Sequence, residues 1–378
     1  AAADYDPDGT RWHYLEDQRN RTWTPMTPDG GGVIGTDPAN AITTCRAQPS
    51  APACAALPGA LLISTAGSTS AADPAIAFTS PTPQVIQLSV RVHVASDAGA
   101  EQRVRIYRNS REDELFTGTA VEGTTFEHSL TVDALPDDRF FLALAPAAGG
   151  AAQVAAHFYI NGTGAAFPST CQLAVGFGAA TGNTVDNACG PDVTHNDYMA
   201  GMPVPPVLGP GPYPELGQAA DLTAEKYYET ANVLDKAGDT TVQLWVKHDA
   251  VVDVYGAWLF SDLDLDATGG LGIVIYDQSG LRMEVTTCTA AGPLMFAGED
   301  VAYPADAAWH FIRVVHTAGN VAICLDGTRV ASFPTATGKL TSTFHPYIGK
   351  NVRWTPAGAF TDASIDDVRV LSTALPCN

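Results

Sequence analysis

The clearest pattern along the chain is the alternation between positions 86 and 94. Ile86, Leu88, Val90, Val92 and Val94 are apolar, and Gln87, Ser89, Arg91 and His93 between them are polar. A period of two sends successive side chains to opposite faces of an extended strand, so this segment predicts a half-buried antiparallel strand. Comparable segments follow at 103–108, 114–119, 125–132, 139–144 and 153–160. Asp97-Ala98-Gly99, Glu122-Gly123 and Pro136-Asp137-Asp138 separate them as turns. That spacing predicts a small β-sandwich over residues 61–163.

A second series of strands begins at 171–177 and continues through 242–247, 257–260, 272–276, 281–287 and 344–350. Its centre is a strand at 309–316, a turn at Thr317-Ala318-Gly319-Asn320, a strand at 321–325, an Asp326-Gly327 turn and a third strand. Gly-Asn and Asp-Gly suit the tight turns of hairpins. Residues 1–60 lack a clean period and read as an irregular N-terminal extension. The Gly-, Ala- and Pro-rich stretch 162–169 predicts a domain boundary, with a second sandwich over 164–378. Proline-rich 203–214 is a loop, since proline cannot continue a helix. The fold class expected is all-β, with two β-sandwich domains.

Composition narrows the partners. Twenty basic against 41 acidic side chains leave a net charge of −21, which repels nucleic acid and anionic membranes. No run reaches the roughly 18–20 apolar residues that span a bilayer. The chain opens on Ala1-Ala2-Ala3 without a basic and apolar leader, so any export signal is expected to have been removed already. Seven cysteines contain no C-x-x-C pair, which argues against zinc and for disulfides in an oxidising compartment. Cys45 and Cys54 are close enough to staple a short loop. Cys288 and Cys324 lie in predicted strands of the second domain and are candidates to bridge. Cys377 is a candidate partner for Cys171 or Cys189. One cysteine is left over.

Residues 309–332, "WHFIRVVHTAGNVAICLDGTRVAS", resemble the strand–turn–strand signature of laminin-G-like, concanavalin A-like jelly rolls. The resemblance extends to "DLTAEKYYETANVLDKAGDTTVQLWVKHD" through Leu222, Tyr227, Val242, Leu244, Trp245, Val246 and Lys247. It closes with "FTDASIDDVRVLSTALP", and Thr184–Gly190 is similar to a turn that opens such modules. Thr223-Ala224 departs from the Asp-Gly usual there. The resemblance covers about the last 205 residues and implies a binding fold, not an enzyme. It implies Trp245 and Trp309 in the core, and calcium at the sandwich rim through Asp186, Asp366 and Asp367. The implied setting is a secreted or cell-surface bacterial protein of adhesion or recognition, with glycan or protein as partner. A self-assembling structural subunit of a surface layer or filament is the alternative.

Other candidate chemistry comes from the residues themselves. Sugar rings stack on aromatic faces while polar neighbours fix hydroxyls. Trp354 leads the candidates, with Arg353 beside it in the sequence and Tyr347, Trp258 and Tyr276 as further available side chains. A glycoside hydrolase of this fold would need a carboxylate pair, and the "E-x-D-x-x-E" pattern is missing. Asp262-Leu263-Asp264-Leu265-Asp266 reads as an exposed acidic loop with its leucines buried. Asp4, Asp6 and Asp8 match the first half of a calcium loop, without the terminal glutamate. Tyr107 to Glu114 reads as a solvated hairpin tip. His93, His128, His157, His310 and His316 read as structural.

Overall fold

The computed structural model describes residues 12–17, 23–26, 41–65, 73–95, 99–148, 152–198, 200–212, 217–222, 226–248, 256–263, 269–277, 280–288, 296–336, 340–350 and 363–377. The chain divides into two compact units, Ala1–Ser169 and Thr170–Asn378. Both are β-structures, and among the described residues no helix is long and apolar enough to cross a membrane.

The first unit stacks two antiparallel sheets. One runs β2 (Trp23–Pro25), β1 (Trp12–Asp17), β5 (Asp73–Thr79), β10 (Arg139–Ala148), β7 (Glu101–Arg108) and β8 (Ser110–Val121). The other runs β3 (Ile42–Thr44), β4 (Leu61–Thr65), β11 (Ala152–Gly162), β6 (Gln84–Ala95) and β9 (Thr125–Ala134). On β6 the expected alternation is met: Ile86, Leu88, Val90, Val92 and Val94 are buried while Gln87 and Arg91 are exposed.

Two expectations need correction here. The first sixty residues are not an irregular extension. β1 and β2 extend one sheet through β5, and β3 extends the other through β4. Helix α1 (Pro52–Ala56) and the Cys45–Cys54 disulfide bury Ala53 and Leu57 with Leu62 and Ala155, on the outward side of β4 and β11. Strands of three to six residues are too short to show a period. The boundary also falls after Ser169, since the Ser169 N–H and hydroxyl donate to the Asp133 carboxylate at 3.0 and 2.8 Å.

The second correction concerns 107–114, which is buried rather than solvated. Arg108 Nε meets Asp113 Oδ2 at 2.7 Å, and Asn109, at φ 60°, donates to Asp138 Oδ1 at 2.8 Å. Glu112, Asp113 and Glu114 are each less than a tenth exposed. Buried charges persist where partners satisfy them.

In the second unit, one layer follows β12 (Cys171–Thr181), β28 (Ala363–Leu371), β19 (Thr240–His248), β24 (Trp309–Thr317), β25 (Asn320–Leu325) and β26 (Thr328–Pro334). The hairpin β16 (Val207–Pro210) and β17 (Gln218–Asp221) adds to β28. The facing layer follows β13 (Thr184–Asn187), β14 (Val193–Asp197), β18 (Lys226–Glu229), β27 (Tyr347–Ile348), β20 (Ala257–Ser261), β21 (Leu271–Asp277), β22 (Leu281–Cys288) and β23 (Phe296–Ala302). The short β15 (Met202–Pro203) pairs with β14. Val242, Leu244, Ile312, Val314, Ile365 and Val368 from the first layer share one core with Phe260, Ile273, Ile275, Met283, Val285 and Ile348 from the second. This is the jelly roll the hairpin pattern implied.

The hairpin turns follow from backbone chemistry. Asp326 and Gly327 have φ of 51° and 78°, and Ala318 and Gly319 have 41° and 83°. Two consecutive positive φ values make the turn whose twist matches the flanking strands. The Asp326 carboxylate accepts the Phe311 N–H at 2.9 Å and faces His310 Nδ1 at 2.8 Å, while Asp306 faces His310 Nε2 at 2.9 Å.

Trp245 is buried, but on the far side of its strand from the shared core, against Phe311. The C-terminal tail reaches the same strands. Arg313 donates to the Pro376 carbonyl at 2.7 Å, and Leu375 N–H donates to Thr241 Oγ1 at 3.0 Å. Trp309, expected in the core, is only half-buried at the end of β24.

The cysteine pairing differs from the expectation. Cys324 bonds Cys377, and Cys171 bonds Cys189; Cys45–Cys54 forms as read. Cys324 lies opposite Arg313, beside which the C-terminal tail passes, whereas Cys288 lies on β22 in the other layer. The Cys288 thiol is buried and donates to the Gly269 carbonyl. Asp262 is a further correction. It is fully buried, ion-paired with a fully buried Lys236, and accepts the Leu271 N–H at 2.9 Å. Leu263 is buried as expected; Asp264 and Asp266 lie outside the described residues.

Two outcomes follow for stability. Closing a longer loop restricts the unfolded chain more, and the Cys324–Cys377 pair spans 53 residues against nine for Cys45–Cys54. Cys324→Ser with Cys377→Ser should cost about 4 kcal/mol in denaturant unfolding, and Cys45→Ser with Cys54→Ser about 3 kcal/mol. His310 supplies the pH dependence. Burial disfavours its charged form, but hydrogen bonds and charges from Asp326 and Asp306 outweigh this and raise its pKa. Its stabilisation is then complete below an unfolded-state pKa of about 6.5 and is lost as pH rises through the raised folded value. The melting-temperature gap between wild type and His310→Gln should therefore be widest in mild acid and shrink towards alkaline pH; a constant gap would contradict it.

Candidate functional site

Strands β20 to β23 send one set of side chains into the core and leave the other facing outward. Ile273, Ile275, Met283 and Val285 point inward. Their neighbours Val274, Tyr276, Arg282 and Glu284 therefore share the opposite face. Strand register aligns these positions in rows. Trp258 lies opposite Val274, Val274 opposite Glu284, and Glu284 opposite Asp300; Tyr276 lies opposite Arg282. Further along the same face, Asn196 lies opposite Tyr227, and Thr194, Glu229, Tyr347 and Ser261 form a continuous row.

Trp258 is half-buried and packs down on Gly272. A Cβ there would stand 2.6 Å from the indole and 2.5 Å from Leu263, so only glycine leaves room. The buried indole Nε1 has no hydrogen-bond partner. Beside it, Arg282 Nε donates to Asp300 Oδ2, and the Tyr276 hydroxyl donates to the same oxygen at 3.2 Å. These bonds hold the Asp300 carboxyl below its ordinary pKa. Glu284 shifts the other way: burial first, then the charge of Asp300, raises its pKa.

A second aromatic group occupies the other end of the face. Tyr227 and Tyr347 stand 5.7 Å apart at 64°, and the Tyr347 hydroxyl donates to Glu229 Oε1 at 3.3 Å. Lys350 Nζ lies 4.4 Å from the Tyr227 ring, 5.1 Å from Tyr347 and 5.5 Å from Tyr198. Such contacts stabilise an ammonium through the ring quadrupole. Burial lowers the Lys350 pKa, and it pushes the Tyr347 hydroxyl up to about 12, with Glu229 adding to that rise.

The face thus carries aromatic groups at two stations, with carboxylates among them. From strand spacing and rise, with the bulge at Leu259 counted, Cα of Trp258 is roughly 8 Å from that of Tyr276 and from that of Tyr347. Of the ring candidates read from sequence, Tyr347, Trp258 and Tyr276 come together here; Arg353 and Trp354 lie outside the described residues. Sequence reasoning missed Tyr198, Tyr227, Glu229, Glu284, Asp300 and Lys350. The alternation around Ile273–Ile275 and Met283–Val285 was the available signal for Glu284.

The acidic positions expected to hold calcium do not assemble. Asp186 is exposed on β13. Asp367 is ion-paired with Arg369 at 2.6 Å. Asp366 is buried, with Oδ1 accepting the Asp367 N–H and Oδ2 without a partner, and burial followed by the Asp367 charge raises its pKa well above the ordinary value. Among the described residues no three acidic, histidine or cysteine side chains gather as a metal site. Asp4, Asp6 and Asp8 lie outside the described residues, as does Thr223-Ala224.

Comparison with known proteins adds the following. Residues 222–377 match the family described as the concanavalin A-like lectin/glucanases superfamily. No curated protein matches the chain. Among solved structures, the binding domain of botulinum neurotoxin serotype C1 is 13% identical over 55% of this chain and 49% of its own, with a TM-score of 0.39. Domain 4 of AbnA, an extracellular arabinanase of Geobacillus stearothermophilus solved with arabinotriose, is 16% identical over 55% of this chain and 94% of its own, with a TM-score of 0.40. The match spans about half of the neurotoxin binding domain. With a shared core between two antiparallel layers and the 222–377 match, the C-terminal unit is a laminin-G-like domain of the concanavalin A-like lectin/glucanase superfamily.

Proposed function

We propose that the C-terminal unit binds extracellular glycans, without cleaving them, across the outward face of the layer from β13 to β23. The observation that carries this reading is register. It sets Trp258, Tyr276, Tyr227 and Tyr347 on one face, with Glu229, Glu284 and Asp300 interleaved. Sugars present apolar ring faces and hydroxyl edges, and this surface offers a partner for each. Aromatic rings stack on the former, and carboxylate oxygens accept from the latter. The net charge of −21 disfavours polyanionic ligands, so the glycans expected are neutral or cationic. Three disulfides support an oxidising, extracellular setting. Assembly with further copies of the chain is the less supported alternative.

A second reading rests on Glu284 and Asp300. They lie directly opposite on neighbouring strands, and their pKa values shift in opposite directions. A raised acid beside a lowered carboxylate is the division of roles a retaining glycoside hydrolase uses. Here the Asp300 charge is taken up by Arg282 and the residue is open to solvent, which favours binding over turnover.

The test is a glycan array with the full chain, followed by calorimetry on the strongest hits. Trp258→Ala and Tyr276→Ala should each weaken binding about tenfold, equivalent to roughly 1.4 kcal/mol. Tyr276→Ala should leave the melting temperature little changed, whereas Trp258→Ala, which also removes packing on Gly272, should lower it while the chain stays folded by circular dichroism. Unchanged affinity in the double variant would reject the face. Sugar release that disappears in Glu284→Gln would replace the binding reading by the hydrolytic one.

A further inference from the structure

The N-terminal unit contains a cleft of about 350 Å³ that the face described above does not involve. It opens where a sheet runs one strand short. Pairing between β4 and β11 ends at Leu61 opposite Ala156, yet β11 continues to Gly162 with β6 along its other side. Trp12 and Tyr14 of β1 and Ile76 of β5 supply the facing wall. Ala156, His157, Phe158 and Tyr159 line the β11 side, and Gly59 and Leu61 close the end at the start of β4.

The aromatic wall is held in place before any ligand arrives. The Trp12 ring packs at 5.2 Å on Phe78 and nearly edge-on, at 6.2 Å and 82°, to Phe158. Tyr14 and Phe158 are buried, whereas Trp12 is half-buried and Tyr159 is 46% exposed. The volume lies within the range of about 300–1,000 Å³ found for small-molecule sites.

The chemistry of the lining selects the ligand. Among the described residues, no acidic side chain, lysine or arginine lines the cleft. Burial lowers the His157 pKa, and the charge of Arg91 adds to this, so the imidazole is neutral at pH 7. The Tyr159 hydroxyl and His157 Nδ1 are hydrogen-bonded at 2.7 Å. A neutral site with aromatic walls and a hydroxyl–imidazole pair suits a molecule with apolar faces and hydroxyl edges. Arg91, opposite His157 on β6, is already ion-paired with Glu127 at 2.7 Å, so a charged ligand would have to compete with that pair.

We propose that this cleft is a second carbohydrate site, taking one or two rings of a neutral saccharide. It would make the chain bivalent for glycans, with one station in each unit.

The experiment uses the full chain carrying Trp258→Ala and Tyr276→Ala, so that binding at the C-terminal face is weakened, and the variants in the cleft then read the two sites apart. Saturation-transfer NMR is run against glucose, galactose, mannose, arabinose and their disaccharides, with indole as an apolar control. The expected result is saturable transfer from at least one neutral sugar. Adding Trp12→Ala or Tyr159→Ala to that background should weaken it at least tenfold. Tyr159 is exposed, so its variant reports on binding even where Trp12→Ala fails to fold; Trp12→Phe serves as the milder second change. No transfer from any sugar, transfer unaffected by Tyr159→Ala and Trp12→Phe, or transfer from indole alone would overturn the proposal.

Discussion

Outward-facing side chains of the C-terminal sandwich are placed by their neighbours one residue away, which must reach a shared apolar core. Val242, Leu244, Ile312 and Val368 on one layer and Ile273, Ile275, Met283 and Val285 on the other close that core. A slip of one residue in any strand would turn its apolar set towards water. Register is therefore strongly determined, and with it the row from Trp258 to Asp300. The surface needs no separate device to hold its side chains in line.

Other parts of the molecule place polar groups inside. Lys236 and Asp262 neutralise one another with no solvent contact, and Arg108 pairs with Asp113 in the N-terminal unit with both side chains almost fully buried. Such pairs are costly to desolvate and are tolerated when every partner is present. Asp262 also anchors the start of β21 through Leu271, and Gly270 beside it admits no Cβ, which would stand 2.5 Å from the Asp262 carbonyl. The return into the strand that carries Tyr276 thus depends on a buried charge pair and a glycine.

Legibility in the sequence followed locality. The period-two run on β6 and the Asp326-Gly327 and Ala318-Gly319 turns were readable because the information lies within a few residues. β1 to β3 were not readable, since three to six residues are too few to show a period. Asp262 and the acidic residues of 107–114 looked exposed because charge alone says nothing of a distant partner. Cys324 and Cys288 both fell in strands, but only the layer assignment separates them. At the candidate face, aromatic residues in late strands were found by composition. The carboxylates and Lys350 were missed, because their role depends on which strands are neighbours.

The most direct measurement is fluorine NMR of the full chain labelled with 5-fluorotryptophan, titrated with its strongest-binding glycan and assigned by tryptophan-to-phenylalanine variants. The account requires the Trp258 resonance to move saturably while that of Trp245, buried against Phe311, stays in place. A saturable shift at Trp245, or a Trp258 signal indifferent to saturating glycan, would contradict it.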